Sequence, residues 1–182
     1  MTLAGADRRD AFTALAGRYL ARLARYCAKC TGSPRAGEEL AQDVLLEIWN
    51  QRHAYRSSGR FRTWLFTLAR SRCLNHLRAE RRRGLWLLRP RGPGDEHHAP
   101  EAPLAPDQID RLLAAEQARQ VRQALLGLST KLREAVLLRF DQGLDYAEIG
   151  RIVGAPEVTV RSRVFLALKQ LRAAVGGRED SP

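Results

Sequence analysis

The sequence predicts an all-α protein: two small helical domains joined by a flexible linker. Three observations carry this. Apolar residues recur at helical steps of three and four on both sides of the midpoint. Most of the eight prolines crowd into residues 89–106, where fixed φ angles and missing N–H groups forbid regular helix or sheet. The 182 residues suffice for one domain or two small ones.

Residues 7–84 read as a three-helix block. The first helix runs over about 7–30, with Phe12, Leu15, Tyr19, Leu23 and Tyr26 on one side, and Gly32, Ser33 and Pro34 stop it. The second runs over about 34–51, with an apolar stripe of Leu40, Val44, Leu45, Ile48 and Trp49. Glu38, Glu39, Asp43 and Glu47 give it an acidic outer face. The third covers about 61–83, with Leu65, Leu68 and Leu77 inward, and "GLWLL" reads as its docking end. Residues 85–106 form the linker.

Residues 107–176 read as four helices, the first over about 107–126. Ser129 is a plausible N-cap for a helix over 130–140. "DYAEIGRIVG" has Asp145 three residues before Glu148, a capping box, and Gly154 closes that helix in the left-handed region. The last helix begins near Pro156, a residue suited to a first turn. Its opening, "EVTVRSR", has three β-branched residues in a row, which favours a strand. However, Val160, Val164, Leu168, Leu171 and Val175 recur at steps of 4, 4, 3 and 4. Burial of such a stripe outweighs local propensity, so the segment reads as helix. Its outer face carries Thr159, Arg161, Ser162, Arg163, Lys169 and Arg172. Two helices joined by "GAP", the second polar and basic at its start, make a helix-turn-helix. The second helix of that motif enters the major groove, where arginine pairs with guanine or holds phosphate.

Charge points to the same class of partner. The net charge is +11 and the pI about 10.7, which favours nucleic acid or an anionic surface. The excess is concentrated, since residues 1–84 hold 17 basic and 7 acidic side chains. Within them, "AYRSSGRFRTWLFTLARSR" interleaves Tyr55, Phe61, Trp64 and Phe66 with Arg56, Arg60, Arg62, Arg70 and Arg72. Single strands are held this way, with cations along the backbone and rings against unpaired bases. Trp64 reads better as core. Tyr55, Arg56, Ser57, Ser58 and Arg60 read either as a contact loop, one able to accept an extruded base, or as a plain solvated loop.

These blocks resemble a known family. "GEELAQDVLLEIWNQRHAY" and "GRFRTWLFTLARSRCLNHLR" are similar to region 2 of bacterial sigma factors. "LSTKLREAVLLRFDQGLDYAEIGRIVGAPEVTVRSRVFLALKQLR" is similar to region 4, and the absence of a domain between them fits the extracytoplasmic-function subgroup. The resemblance implies a protein that binds core RNA polymerase, directs it to promoters and helps open the duplex. It implies that Glu39, Leu40, Gln42, Asp43, Leu46 and Trp49 dock on the β′ clamp, with β as a further contact. It implies that Tyr55, Arg56, Ser57, Ser58, Arg60, Arg62, Arg70, Asn75 and Arg78 read a melted −10 strand. Thr159, Arg161, Ser162 and Arg163 then read a duplex −35 element. An anti-sigma factor over the docking face is a further implied partner, and no stable homo-oligomer is expected. Departures from the family pattern are Ser129 for Pro, Val158 for Gly, Phe165 and Leu166 for His-Arg, and Ser71 and Asn75 for Asn and Asp. Leu166 costs a phosphate contact. Phe165 and Leu166 read either as core or as an adhesive patch for a regulator.

Cys27 and Cys30 are spaced i and i+3, as are Cys73 and His76. A zinc site is open to these four if the first and third helices face each other. A Cys27–Cys30 redox switch and plain buried cysteines are the other readings. No nucleophile elbow, phosphate loop or paired carboxylates occur, so neither an enzyme nor a cofactor is expected. Long apolar runs and a secretory leader are missing, so a cytoplasmic protein is expected. Two competing classes are a dimeric helix-turn-helix regulator on a palindromic operator and a helical adaptor.

Overall fold

The computed structural model describes residues 5–52, 60–86 and 106–176. Every regular element among them is helical. Helices α1 (Gly5–Thr31), α2 (Pro34–Gln51) and α3 (Phe61–Trp86) form the N-terminal domain. Helices α4 (Pro106–Gly127), α5 (Thr130–Val136), α6 (Tyr146–Val153) and α7 (Glu157–Gly176) form the C-terminal one. Most of the predicted linker and the loop 53–59 lie outside the described residues.

The α1–α2 hairpin is set by a cap and a close approach. The Ser33 hydroxyl accepts a hydrogen bond from the Ala36 N–H at 3.2 Å, and Pro34 opens the first turn. Gly37 lets the helices touch, since a Cβ there would lie 2.6 Å from the Ala24 carbonyl oxygen. Gly37→Ala is therefore expected to force the helices apart and destabilise the domain by about 1–3 kcal/mol. A lower thermal midpoint with unchanged helicity checks this.

The predicted stripes supply the core, with corrections. Leu23, Tyr26, Val44, Ile48, Leu65 and Phe66 are buried, and Tyr26 meets Phe66 edge-on at 5.3 Å. Trp64 is partly buried against Phe61. In α7, Val160 and Val164 are buried, but Val175 is exposed because the helix outruns its support there, and Ala167 faces the core instead.

The C-terminal caps divide. Asp145 and Glu148 form the full capping box, and Gly154 adopts φ 66°, the left-handed turn that starts the Gly-Ala-Pro link. Ser129 caps by position only. Its carbonyl accepts from Leu132 and Arg133, while its hydroxyl makes no capping bond. The predicted helix over 130–140 is not uniform either. Past Val136 it widens into a π turn, Leu137–Asp141, with the Gln142 N–H donating to the Leu137 carbonyl at 3.1 Å.

Both domains share one continuous apolar core, which the sequence did not foretell. Polar contacts cross the seam. Arg70 of α3 pairs with Glu134 of α5 at 3.0 Å. Arg62 of α3 donates to the Gln142 carbonyl. Asp141 pairs with Lys29 and lies 3.6 Å from Arg25, both on α1. Arg133 donates to the Cys30 carbonyl at 2.7 Å.

Candidate nucleic-acid interface

The helix-turn-helix presents α7 on the side away from its buried valines. Arg161 and Ser162 are exposed, and Thr159 and Arg163 are half-buried. Arg161 is already engaged. It donates to Glu157 one turn back at 2.6 Å and lies 5.1 Å from the Tyr146 ring centre. That pairing raises its pKa further, keeping it a cation at any relevant pH. Phe165 and Leu166 are 67% and 46% exposed, so they are not core. With Val158 and Ser162 they extend a partly apolar face down the helix.

The N-terminal basic set divides into free and occupied members. Arg60, Asn75 and Arg78 are exposed. The Asn75 side chain accepts from Arg78 at 3.2 Å, and the two line a shallow hollow with Arg81 and Arg82. Arg62 and Arg70 instead face the C-terminal domain through Gln142 and Glu134. Arg72 braces α3 on α2 through Glu47 at 2.7 Å. Tyr55, Arg56, Ser57 and Ser58 lie outside the described residues.

Of the predicted acidic face of α2, Glu38, Glu39 and Asp43 are exposed, whereas Glu47 is half-buried because it turns to Arg72 of α3. Glu39, Gln42, Asp43 and Leu46 are exposed together, at the i, i+3, i+4 and i+7 spacing of one helix face. Trp49 is half-buried at its edge, 4.9 Å from Phe12 and under the Arg52 guanidinium at 4.0 Å. Leu40 does not belong to this face. It is buried, because one residue beyond Glu39 is a turn of about 100° into the core.

Sequence reasoning missed the partners of Arg62 and Arg70. Glu134 is only 3% exposed. Burial pushes its carboxyl above the usual carboxylate range, and Arg70 pulls the other way. One signal was available, since Glu134 stands four residues before the buried Leu138, on the apolar side of its helix. Gln142 is 1% exposed and reaches its place through the π turn, which no periodicity announces. Among the described residues, no group of three His, Cys, Asp or Glu side chains is arranged to hold a metal ion. His76 stays half-buried without joining such a set.

Two domain models match this chain. Residues 15–83 match Sigma-70 region 2, and residues 118–171 match Sigma-70, region 4. The chain is similar to the ECF RNA polymerase sigma factor SigL of Mycobacterium tuberculosis, with 32% identity over 164 residues, 87% of this chain and 85% of the relative. It is similar to the ECF RNA polymerase sigma factor RpoE of Cereibacter sphaeroides, with 30% identity over 169 residues, 91% of this chain and 88% of the relative. In fold it is similar to the sigma factor RpoE solved in complex with the anti-sigma factor NepR from Bartonella quintana. The TM-score is 0.70 and the identity 22%, over 92% of this chain and 98% of that one. CnrH, solved with the cytosolic domain of CnrY, matches at a TM-score of 0.65 and 21% identity, over 95% of this chain and 91% of that one.

Proposed function

The chain belongs to the extracytoplasmic-function sigma factors of RNA polymerase, and from that premise we propose how its residues divide the work. As an alternative sigma factor it binds core polymerase, directs promoter-specific initiation and assists melting. Residues 7–84 serve as region 2, 85–106 as the linker and 107–176 as region 4. Glu39, Gln42, Asp43, Leu46 and Trp49 dock on the β′ clamp. The joint exposure of the first four on one acidic helix face, with Trp49 half-buried at its edge, supports this in a chain whose net charge is +11. Leu40 supports that face from below.

Arg60, Asn75 and Arg78, with Tyr55, Arg56, Ser57 and Ser58 of the preceding loop, take the −10 strand. Thr159, Arg161, Ser162 and Arg163 meet the −35 duplex. For Arg161 this means exchanging Glu157 for phosphate or a guanine edge.

The observation that carries the mechanism is the pairing of Arg62 and Arg70 with the other domain. An arginine held by Gln142 or Glu134 does not hold DNA at the same time. The closed form is therefore a resting state, and engagement of polymerase and promoter parts the domains. An anti-sigma factor covering the docking face fits this scheme, as the structurally similar sigma factor RpoE was solved in complex with the anti-sigma factor NepR. The protein works in the cytoplasm, where its polymerase is. Among the described residues, no helix is long and apolar enough to cross a membrane.

Run-off transcription on a fragmented genomic library with core polymerase tests the function. Specific start sites are expected only when the protein is added, and their alignment gives both promoter elements. No starts, together with failure to co-elute with core, overturns the reading.

A further inference from the structure

Val158 is the most exposed of the large apolar side chains among the described residues, at 74%. It is the second residue of α7 and stands outside the apolar core. The fold gains little from a β-branched apolar residue there, because a helix restricts its rotamers and nothing is buried in return.

The geometry of α7 gives this valine a direction. Val158, Ser162, Phe165 and Lys169 stand at steps of 4, 3 and 4, and all are exposed. They therefore share one side of the helix, and Val160, Val164 and Ala167 are buried on the other. Val158 opens the outermost stripe. It lies at the end of the helix that meets base edges when a helix-turn-helix enters the major groove. The surrounding turn holds it in place. The Ala155 N–H donates to the Gly150 carbonyl at 3.0 Å, and the Val160 N–H donates to the Pro156 carbonyl at 3.1 Å. A Cβ on Gly150 would lie 2.7 Å from the Ala155 carbonyl oxygen, so the link into α7 is tight. Beside Val158, Arg161 is held by Glu157 at 2.6 Å.

A valine side chain has no donor or acceptor, so it reads no hydrogen-bonding pattern. In the major groove the base that offers a methyl group is thymine, at C5. Resting on the reading of α7 as the −35 helix, we infer that Val158 is a thymine reader. Its isopropyl group packs on the C5-methyl of one thymine in the −35 element and favours an A·T pair at that position. Arg161, Ser162 and Arg163 offer charge and hydrogen bonds instead. Val158 thus adds a base preference that they do not supply.

The test uses the full chain assembled with core polymerase, on promoter duplexes obtained from run-off transcription. Each thymine of the −35 element, on either strand, is replaced singly by deoxyuridine, which keeps the pairing and loses only the methyl. Competition binding then measures affinity. One replacement is expected to weaken binding about fourfold, the worth of one buried methyl group. Val158→Gly should bind the thymine duplex about as weakly as wild type binds the uracil duplex. It should lose nothing more on the uracil duplex, as a double-mutant cycle reads it. Thermal melts check folding, and if Val158→Gly is unfolded, Val158→Ser takes its place with the same expectation. Absence of both start sites and duplex binding would overturn the −35 reading and the thymine contact with it. Promoters that bind without any uracil effect, or a −35 element lacking any A·T pair, would overturn the thymine contact alone. So would a uracil effect that the Val158 variants leave unchanged, which would assign the methyl to another side chain such as Thr159.

Discussion

Leu46→Asp is expected to cut binding to core RNA polymerase by roughly thirtyfold or more, while the protein stays folded. Leu46 is 59% exposed on α2, with Glu39, Gln42 and Asp43 on the same face. An exposed leucine among acidic side chains gives a docking surface its apolar centre, and the acids around it steer and orient the partner. Central anchors of this kind cost about 2 kcal/mol or more when removed, which corresponds to about thirtyfold. The core positions of α2 are Leu40, Val44, Leu45 and Ile48, so the substitution costs the fold little, within about 0.5 kcal/mol for a surface site. Leu40→Ala should do the reverse. It leaves a cavity, lowers the thermal midpoint by the equivalent of about 2–5 kcal/mol, and affects polymerase binding only through folding. Fluorescence anisotropy against core, with thermal melts of both variants, separates the cases. Wild-type affinity for Leu46→Asp would move docking off this face.

Asp141→Arg is expected to open the two domains and to raise affinity for single-stranded promoter DNA. Asp141 closes the π turn, with its side chain 13% exposed between Lys29 and Arg25. Reversing its charge puts three cations together where an ion-pair cluster stood. The loss is of the order of 1–3 kcal/mol, the size of a typical coupling between sites. That shifts the closed-to-open ratio by roughly five- to 150-fold and frees Arg62 and Arg70. Small-angle scattering should show a larger radius of gyration, and anisotropy with a single-stranded −10 oligonucleotide should show tighter binding. Pairing the change with Lys29→Glu restores one attraction and should recover part of the closed form, as a double-mutant cycle would read it. If scattering and affinity both match wild type, the resting-state reading falls.

The faces of α2 show how far a sequence reaches. Leu40 and Leu46 are chemically identical and stand on one helix that the sequence identified correctly. Periodicity put Leu40 on the apolar stripe, the resemblance put both leucines in the docking set, and packing against α1 and α3 buries Leu40 while Leu46 stays exposed. The capping box behaved differently. Asp145 and Glu148 bond each other's backbone groups three residues apart, so nothing beyond the segment was needed to foresee them. Phe165 and Leu166 fall between. Their helix was legible, but which side of it faced solvent was decided by the buried Val160 and Val164 together with the elements around them.

What the sequence determined alone was therefore local or periodic: all-helical class, two blocks, most helix ends, the helix-turn-helix and the acidic face. Capping, turn chemistry and amphipathic stripes act over a few residues, and a single strand of text records them in full. What only the tertiary structure decided was long-range pairing. Arg70 finds Glu134 across 64 positions, Arg62 finds Gln142 across 80, and Lys29 finds Asp141 across 112. A residue's type fixes which bonds it can form, whereas the path of the whole chain, closed by one shared core, fixes which partner is there to form them.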